Sequence, residues 1–133
     1  MTFATDTHGL VHHLTGRQRR LGRRARMIFN RADRGLDIIL IPFTVLEEIM
    51  LLSEAGKIRL RLPFRELLLS LMQAENYNLG ENNAGLLLEA STLTGIRDPY
   101  DRMIVAQARV AGLPLISSDE DNQNSALDRI VWD

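Results

Sequence analysis

Asp37-Ile38-Ile39-Leu40-Ile41-Pro42 is the stretch of sequence that decides the fold. Its four central residues are all apolar and mostly β-branched, with no alternation between apolar and polar positions. A short run of this kind predicts a strand that is covered on both faces, and such strands are typical of parallel sheets. We therefore predict that residues 37–42 form a central strand of a parallel sheet.

Strand and helix patterns alternate on both sides of this run. The further predicted strands cover residues 2–6, 77–79, 113–117 and 128–132. The predicted helices cover residues 8–14, 19–32, 44–54, 63–74, 82–93 (starting at Asn82 or Asn83) and 98–111. This alternation predicts an α/β fold in which a parallel sheet is sandwiched between two layers of helices.

Two helix starts carry specific signals. Thr44 is a candidate N-cap for the helix over residues 44–54, because its hydroxyl can accept a hydrogen bond from a free backbone N–H. Asp98 followed by Pro99 is a stronger signal, since Asp is a favoured N-cap and Pro fits the first helical position. Gly112 is expected to end this last helix.

Composition limits the class of protein. At 133 residues, with 45% apolar and 25% charged residues, the chain has the balance of one globular domain. Cysteine is absent, which excludes disulfide bonds and cysteine catalysis and is typical of a reducing compartment. The apolar runs are far shorter than the roughly 20 residues that span a bilayer, and the N-terminus does not resemble a signal peptide. We therefore expect a cytoplasmic protein with no membrane partner.

Acidic residues occur where such a fold builds its sites. Asp6 and Asp119 each follow a predicted strand, and ligands of parallel sheets bind beyond the carboxyl ends of the strands. Two further acidic stretches, Glu47-Glu48 and Asp98 to Asp101, lie at the starts of predicted helices. The acidic stretches in chain order are Asp6-Thr7-His8, Thr44 to Ile49, Asp98-Pro99-Tyr100-Asp101-Arg102 and Ser117-Ser118-Asp119-Glu120.

In this order and at similar spacings, these stretches resemble the PIN-domain family, in particular its VapC-like toxin branch. The resemblance runs from Asp6 to Trp132. Its most specific part is the Asp-Pro-x-Asp-Arg segment at residues 98–102, together with the apolar and small residues over 103–108. It implies a single PIN-like domain over residues 1–133 with a three-layer α/β/α fold.

The resemblance also implies a set of site residues. Four acids would be catalytic and would hold magnesium or manganese, with Asp98 as a further acid common in this branch and with Ser117 and Thr7 ordering the site. Glu48 is preferred to Glu47 because the acid of the family directly precedes an aliphatic residue, here Ile49. The four acids are Asp6, Glu48, Asp101 and Asp119.

Elementary electrostatics gives the same expectation for any such cluster. Two carboxylates about 4 Å apart repel by roughly 4 kcal/mol at an effective dielectric constant near 20. Converging acids must therefore take up protons or hold a cation. Hard oxygen ligands favour magnesium or manganese, and such a cation lowers the pKa of water and stabilises charge on a departing oxygen.

A dense group of arginines lies between Arg17 and Arg34. Guanidinium groups bind phosphate through two hydrogen bonds and stack on bases, although charge runs on helices are more often simply solvated. The candidate RNA-binding residues are Arg19, Arg20, Arg23, Arg24, Arg26 and Arg102. Together with these residues, the resemblance implies a metal-dependent endoribonuclease with RNA as its substrate. It also implies that the protein is the toxin of a type II toxin-antitoxin pair, with an antitoxin protein as partner and a homodimeric assembly.

Ordinary structural roles compete with each assignment. Asp98 and Asp101 fit a capping box, and Asp6 and Asp119 fit turn positions at strand ends. His8, His12 and His13 are more often solvated than metal-bound. The leucine runs at residues 67–69 and 86–88 exceed one helical stripe, so one of them is a candidate subunit contact, although core burial is the commoner reason.

The same acids would have other roles in other classes of protein. A non-catalytic PIN-fold module, acting through a protein or RNA partner, would use the acids only as helix caps. A phosphoacceptor receiver domain needs a late lysine, whereas Lys57 is the only lysine of the chain. A haloacid-dehalogenase-type phosphatase needs an aspartate two residues after Asp6, where His8 stands.

Overall fold

The computed structural model describes residues 1–119 and 129–133. Strands and helices alternate along this part of the chain. In order, its elements are β1 (Thr2–Thr5), α1 (Thr7–Leu14), a 3-10 turn (Gln18–Arg20), α2 (Arg23–Asp33), β2 (Ile38–Ile41), α3 (Phe43–Glu54), α4 (Phe64–Gln73), β3 (Tyr77–Leu79), α5 (Ala84–Ser91), α6 (Pro99–Ala111), β4 (Leu115–Ile116) and β5 (Ile130–Val131). No helix among the described residues is long and apolar enough to cross a membrane.

The strands form one sheet in the order β3-β2-β1-β4-β5, and each neighbouring pair is parallel. The predicted parallel α/β fold is therefore confirmed. Strand β1 lies in the middle, with Phe3 opposite Ile39 of β2 on one side and Ala4 opposite Leu115 of β4 on the other. The chain thus builds the sheet outward from β1 in both directions. The carboxyl ends of β1 and β4 meet at the switch point where parallel α/β proteins bind ligands.

The core lies on both faces of the sheet. Ile39 and Ile41 of β2 are fully buried, as are Phe29 of α2 and Ile49 of α3. The prediction that every residue of the β2 run is buried is wrong at its first residue, because 38% of the surface of Ile38 is exposed to solvent. This residue lies at the amino end of the strand, where its N–H donates to the Met1 carbonyl.

Helix α6 begins and ends as predicted. The Asp98 carboxylate accepts a hydrogen bond from the backbone N–H of Asp101 at 2.9 Å, and Pro99 occupies the first turn. Gly112 ends the helix with φ of 67°, a left-handed conformation that glycine adopts without steric cost. Local chemistry alone therefore determines both ends of α6.

Helix α3 begins differently from the prediction. Thr44 is not its N-cap, since Pro42 is the capping residue and Thr44 lies buried within the first turn. Pro42 makes no side-chain capping bond, so the free N–H of Phe43 is satisfied from another element, by the Gln107 Oε1 of α6 at 3.3 Å. A tertiary contact thus replaces the local cap that the sequence favoured.

Helix α2 begins at Arg23 instead of Arg19 because the C-terminal strand reaches its start. The carbonyl of Trp132 accepts a hydrogen bond from the Ala25 N–H at 2.9 Å. Gly22 permits this approach, since a Cβ there would lie 2.2 Å from the Trp132 carbonyl oxygen. Residues 18–20 form the 3-10 turn that precedes this junction. Of the predicted last strand, residues 130–131 are observed, and Asp128 lies outside the described residues.

Candidate functional site

A cleft of about 410 Å³ opens at the carboxyl edge of the sheet. It is formed where the segments after β1 and β4 meet α3 and the first turn of α6. Five of its lining residues are acids from four separate segments of the chain, and we call it the acidic cleft. Its lining residues are Asp6, Thr7, His8, His12, Glu48, Asp98, Asp101, Ser118 and Asp119.

Asp6 is the most deeply buried of these acids, with 5% of its surface exposed. It follows β1 and caps α1, and its Oδ1 accepts a hydrogen bond from the Gly9 N–H at 2.8 Å. Burial raises the pKa of Asp6, against the lowering effect of the bonds from Gly9 and from the Ser117 side chain. Its carboxylate is therefore rigidly held and poorly hydrated, so a bound cation would favour its charged form.

Glu48 comes from α3 and is oriented by α1. The Thr7 hydroxyl donates a hydrogen bond to Glu48 Oε1, which joins the two helices beside Asp6. Glu48 lines the acidic cleft, whereas Glu47 is not among the lining residues. The side-chain geometry therefore agrees with the choice of Glu48 over Glu47.

Asp101 lies among the other four acids of the cleft. Burial, and after it the negative charges of Asp119, Asp98, Glu48 and Asp6 in that order, together raise the pKa of Asp101 to about 7. An aspartate with this pKa is a sign of like charges brought together in a partly dry site. The negative charges of all four neighbouring acids thus disfavour the charged form of Asp101. Asp98 lines the same cleft and also caps α6.

Asp119 is placed by the residue two positions before it. Its backbone N–H donates to the Ser117 Oγ at 3.1 Å, and Ser117 is fully buried. The same Ser117 side chain forms a hydrogen bond with Asp6. Ser117 therefore connects the acid that follows β1 with the acid that follows β4. Glu120 lies outside the described residues.

The donor set fits a hard divalent cation. All five acids supply oxygen, the ligand that magnesium and manganese prefer. Within residues 1–119 and 129–133, no three histidine or acidic side chains already stand at the spacing of a ligand set. Magnesium commonly uses only one or two protein carboxylates and keeps several waters, so a wide ring of acids is compatible with a hydrated ion.

The three histidines have different surroundings. His13 is not among the residues that line the acidic cleft. Its Nε2 lies 3.0 Å from Asp33 Oδ2, and its ring stacks on the ring of Phe29 with the centroids 4.7 Å apart. His8 and His12 line the acidic cleft. The Nδ1 of His12 is buried and has no hydrogen-bond partner among the described residues. Sequence reasoning gave little weight to His12, although its position one turn after His8 is the signal that it shares a helix face with that residue.

The candidate RNA-binding arginines differ in their surroundings. Arg102 donates through Nε to the Ile96 carbonyl at 3.0 Å, which supports the loop before α6. Arg20 lines a second cleft that adjoins the acidic one. Arg19, Arg23, Arg24 and Arg26 line neither cleft, and all of them except Arg26 are exposed.

Fold and site together define a three-layer α/β protein with an acidic cleft at the switch point of a parallel sheet. The family model of the PIN domain matches residues 4–128, and the chain belongs to the PIN-domain family. No curated protein matches the sequence.

Solved structures with a similar fold come from bacterial toxin-antitoxin complexes. VapBC2 from Rickettsia felis, bound to a DNA fragment from its promoter, superimposes with a TM-score of 0.70 at 14% identity, covering 100% of both chains. A toxin-antitoxin complex from Klebsiella pneumoniae gives 0.63 at 16% identity, covering 97% of this chain and 95% of that one. VapBC-1 from nontypeable Haemophilus influenzae gives 0.60 at 16%, covering 93% and 91%. At these identities the likeness is one of fold.

Proposed function

We propose that the protein is a divalent-metal-dependent endoribonuclease that hydrolyses phosphodiester bonds of RNA. One observation carries the proposal: acids from four separate segments of the chain converge on one cleft, where burial and their negative charges together raise the pKa of Asp101 to about 7. Such a cluster must be neutralised by protons or by a cation. Asp6, Glu48, Asp101 and Asp119 are the proposed metal-holding acids, with Asp98 at the edge, in a single domain over residues 1–133.

The chain's own residues keep these acids in position. The Gly9 N–H and the Ser117 side chain hold Asp6, and the Thr7 hydroxyl holds Glu48. Rigid carboxylates would hold a cation at one position relative to the scissile phosphate. Such positioning of the reacting groups lowers the entropic cost of the reaction. A bound magnesium or manganese ion supplies Lewis-acid chemistry that activates water and stabilises charge on the departing oxygen.

The biological role that we propose is that of a toxin in a type II toxin-antitoxin pair. The fold is shared with chains of VapBC and other toxin-antitoxin complexes. A protein antitoxin is then the expected partner, and a homodimer is the expected assembly. Exposed leucines on α5, Leu87 and Leu88, offer apolar surface for such contacts.

The direct test is cleavage of RNA by the purified protein with magnesium or manganese. We expect cutting that a chelator abolishes and that Asp6→Asn reduces by about 100-fold or more, since losing several kcal/mol of charge stabilisation has this effect. Glu66→Gln is the matched control, because Glu66 is an exposed acid on α4. Cutting that persists in Asp6→Asn at the level of the control would contradict the proposal.

A non-catalytic module that acts through a protein or RNA partner is the second candidate. It is favoured by the absence, among the described residues, of three acids or histidines already spaced as metal ligands. Thermal unfolding with increasing manganese separates the two functions. A nuclease site should be stabilised by the metal, and Asp101→Asn should weaken that stabilisation, whereas a purely capping role predicts neither effect.

A further inference from the structure

A second cleft, of about 370 Å³, adjoins the acidic one. Its walls come from α1 and the segment after it on one side, and from the loop after α3 on the other. Four of its lining residues are cationic, and we call it the basic cleft. These residues are Arg17, Arg20, Lys57 and Arg59.

The charge of the basic cleft is available to a ligand. Its lining contains no carboxylate. All four cationic residues are exposed, and none of them forms an ion pair with another described residue. Unpaired arginines and lysines on facing walls of a groove attract a polyanion from both sides.

The two clefts are neighbours. His8 and His12 line both of them, so these two residues lie between the four cations and the carboxylates. Their ring centroids lie 6.4 Å apart at a tilt of 31°, and the buried Nδ1 of His12 has no partner among the described residues. The junction therefore offers the exposed ring of His8 for stacking.

We propose that the basic cleft binds the phosphates of a single RNA strand whose scissile bond lies in the acidic cleft, with His8 and His12 against the intervening nucleotide. The inference rests on the proposed ribonuclease function and adds the residues that hold the backbone of the substrate. Proteins that bind single strands combine a basic groove along the backbone with rings on which bases stack. A rigid A-form duplex is instead recognised by shape across a wide, shallow minor groove.

An acidic peptide could satisfy the same guanidinium groups. The neighbouring acidic cleft distinguishes the two ligands. Magnesium sites are usually built from one or two carboxylates together with substrate phosphates, so a cation held by the acids would take a phosphate of the same strand as its next ligand. The adjacency of the two clefts therefore favours RNA.

The test measures binding separately from cutting. In an Asp6→Asn background, a fluorescein-labelled oligouridylate of about ten nucleotides, which is within the usual site size of single-strand binders, is titrated by anisotropy in magnesium buffer. We expect Arg17→Ala with Arg20→Ala, and separately Lys57→Ala with Arg59→Ala, to weaken binding about tenfold or more. Each pair should also reduce the slope of log affinity against log salt by about 1.4, since each lost phosphate contact on a single strand contributes about 0.7.

Arg34→Ala is the matched control. Arg34 is exposed and follows α2 at the edge where β2 begins, away from the carboxyl ends of the strands. Its removal should leave affinity and salt slope unchanged. All substituted residues are exposed, so thermal unfolding should match the parent and exclude misfolding as a cause.

Three results would overturn the inference: unchanged affinity in both paired variants, tighter binding of the same oligomer annealed to its complement, or efficient displacement of the RNA by polyglutamate. These results are distinct from a failure of the ribonuclease proposal. If the parent sequence binds RNA through the four cations but does not cut it, the function fails and the cleft stands. If it cuts RNA while both paired variants bind normally, the cleft assignment alone fails.

Discussion

Asp101 is the residue whose electrostatics depends most on the fold. Burial and four neighbouring carboxylates raise its pKa from an ordinary 3.8 to about 7. In the metal-free protein, its negative charge is therefore unfavourable at neutral pH. A charged Asp101 lowers the stability of the metal-free fold, and residues of this kind are common in functional sites. The function proposed for Asp101 is the binding of a cation.

The Asp101 pKa predicts a pH dependence of stability in the absence of metal. Because the folded pKa is above the unfolded one, the folded protein retains a proton that the unfolded chain releases between about pH 4 and pH 7. The favourable contribution is complete below the unfolded pKa and is lost as pH rises through about 7. In urea unfolding of the chelator-treated protein, the contribution of Asp101 to the free energy of unfolding should therefore fall as the pH rises over this range.

Comparison with Asp101→Asn isolates this contribution from those of other groups. The variant should exceed the parent in stability at pH 8, and the difference should shrink toward pH 4. Added manganese should reverse the order at pH 8. An identical pH profile for the two proteins would refute the assignment of the raised pKa to Asp101.

Gly9 shows how closely the Asp6 carboxylate is enclosed. A Cβ at this position would lie 2.9 Å from Asp6 Oδ1, a distance that forces one of the two groups to move. Gly9→Ala would ordinarily stabilise a helix by about 1 kcal/mol. Here we expect the opposite sign, with a lower melting temperature and at least a tenfold loss of RNA cleavage.

Gly95→Ala serves as the control for Gly9→Ala. A Cβ at Gly95 meets no atom within 4 Å of the described structure, and no positive φ is recorded for this residue. Melting temperature and cleavage should therefore stay at parent values. Increased stability and full activity in Gly9→Ala would show that Asp6 does not need its observed position.

At the scale of elements, the start of α6 has two tasks. Asp98 accepts the Asp101 N–H and also lines the acidic cleft. The local capping role and the site role can be separated because asparagine caps a helix about as well as aspartate but carries no charge.

We predict that two substitutions of Asp98 have different effects. Asp98→Ala should cost about 1 kcal/mol of unfolding free energy through loss of the cap. Asp98→Asn should keep stability near the parent value while weakening manganese stabilisation and cleavage. Urea unfolding and a metal titration on both variants measure the two effects. If Asp98→Asn binds manganese and cuts RNA as the parent does, Asp98 acts only as a cap.

At the scale of the whole molecule, α5 leaves apolar surface exposed. Leu86 is buried in the core, but 61% of the surface of Leu87 and 72% of the surface of Leu88 are exposed to solvent. Adjacent exposed leucines on one helix are a candidate contact surface. This surface lies on the leucine run at residues 86–88 that the sequence singled out.

We predict that Leu87→Glu with Leu88→Glu converts a homodimer to a monomer, because burying two carboxylates in an apolar contact is strongly unfavourable. Molar mass from light scattering during gel filtration is the measurement. Met27→Glu, at a residue of α2 that is 53% exposed, is the control and should leave the mass unchanged. A parent protein that is already monomeric, or a variant that stays dimeric, would contradict this assembly.

Sequence signals succeeded where the determinants were local. Asp98, Pro99 and Gly112 marked α6 because each acts on its own backbone. The Thr44 cap and the Arg19 start were wrong for the opposite reason, since Gln107 and Trp132 satisfy those helix ends from distant parts of the chain. The acids of the site could be named from their order, but their roles as metal ligands stay a prediction.

By itself, the sequence determined the alternation of strands and helices, since apolar periodicity and capping residues act within a few positions of the chain. Only the tertiary structure decided that Asp6 and Asp101 share one electrostatic field and that Arg17 faces Arg59 across a cleft. The physical reason is range. Local signals are set by neighbours in the chain, whereas charge repulsion and cleft shape depend on distances that exist only after the sheet has assembled.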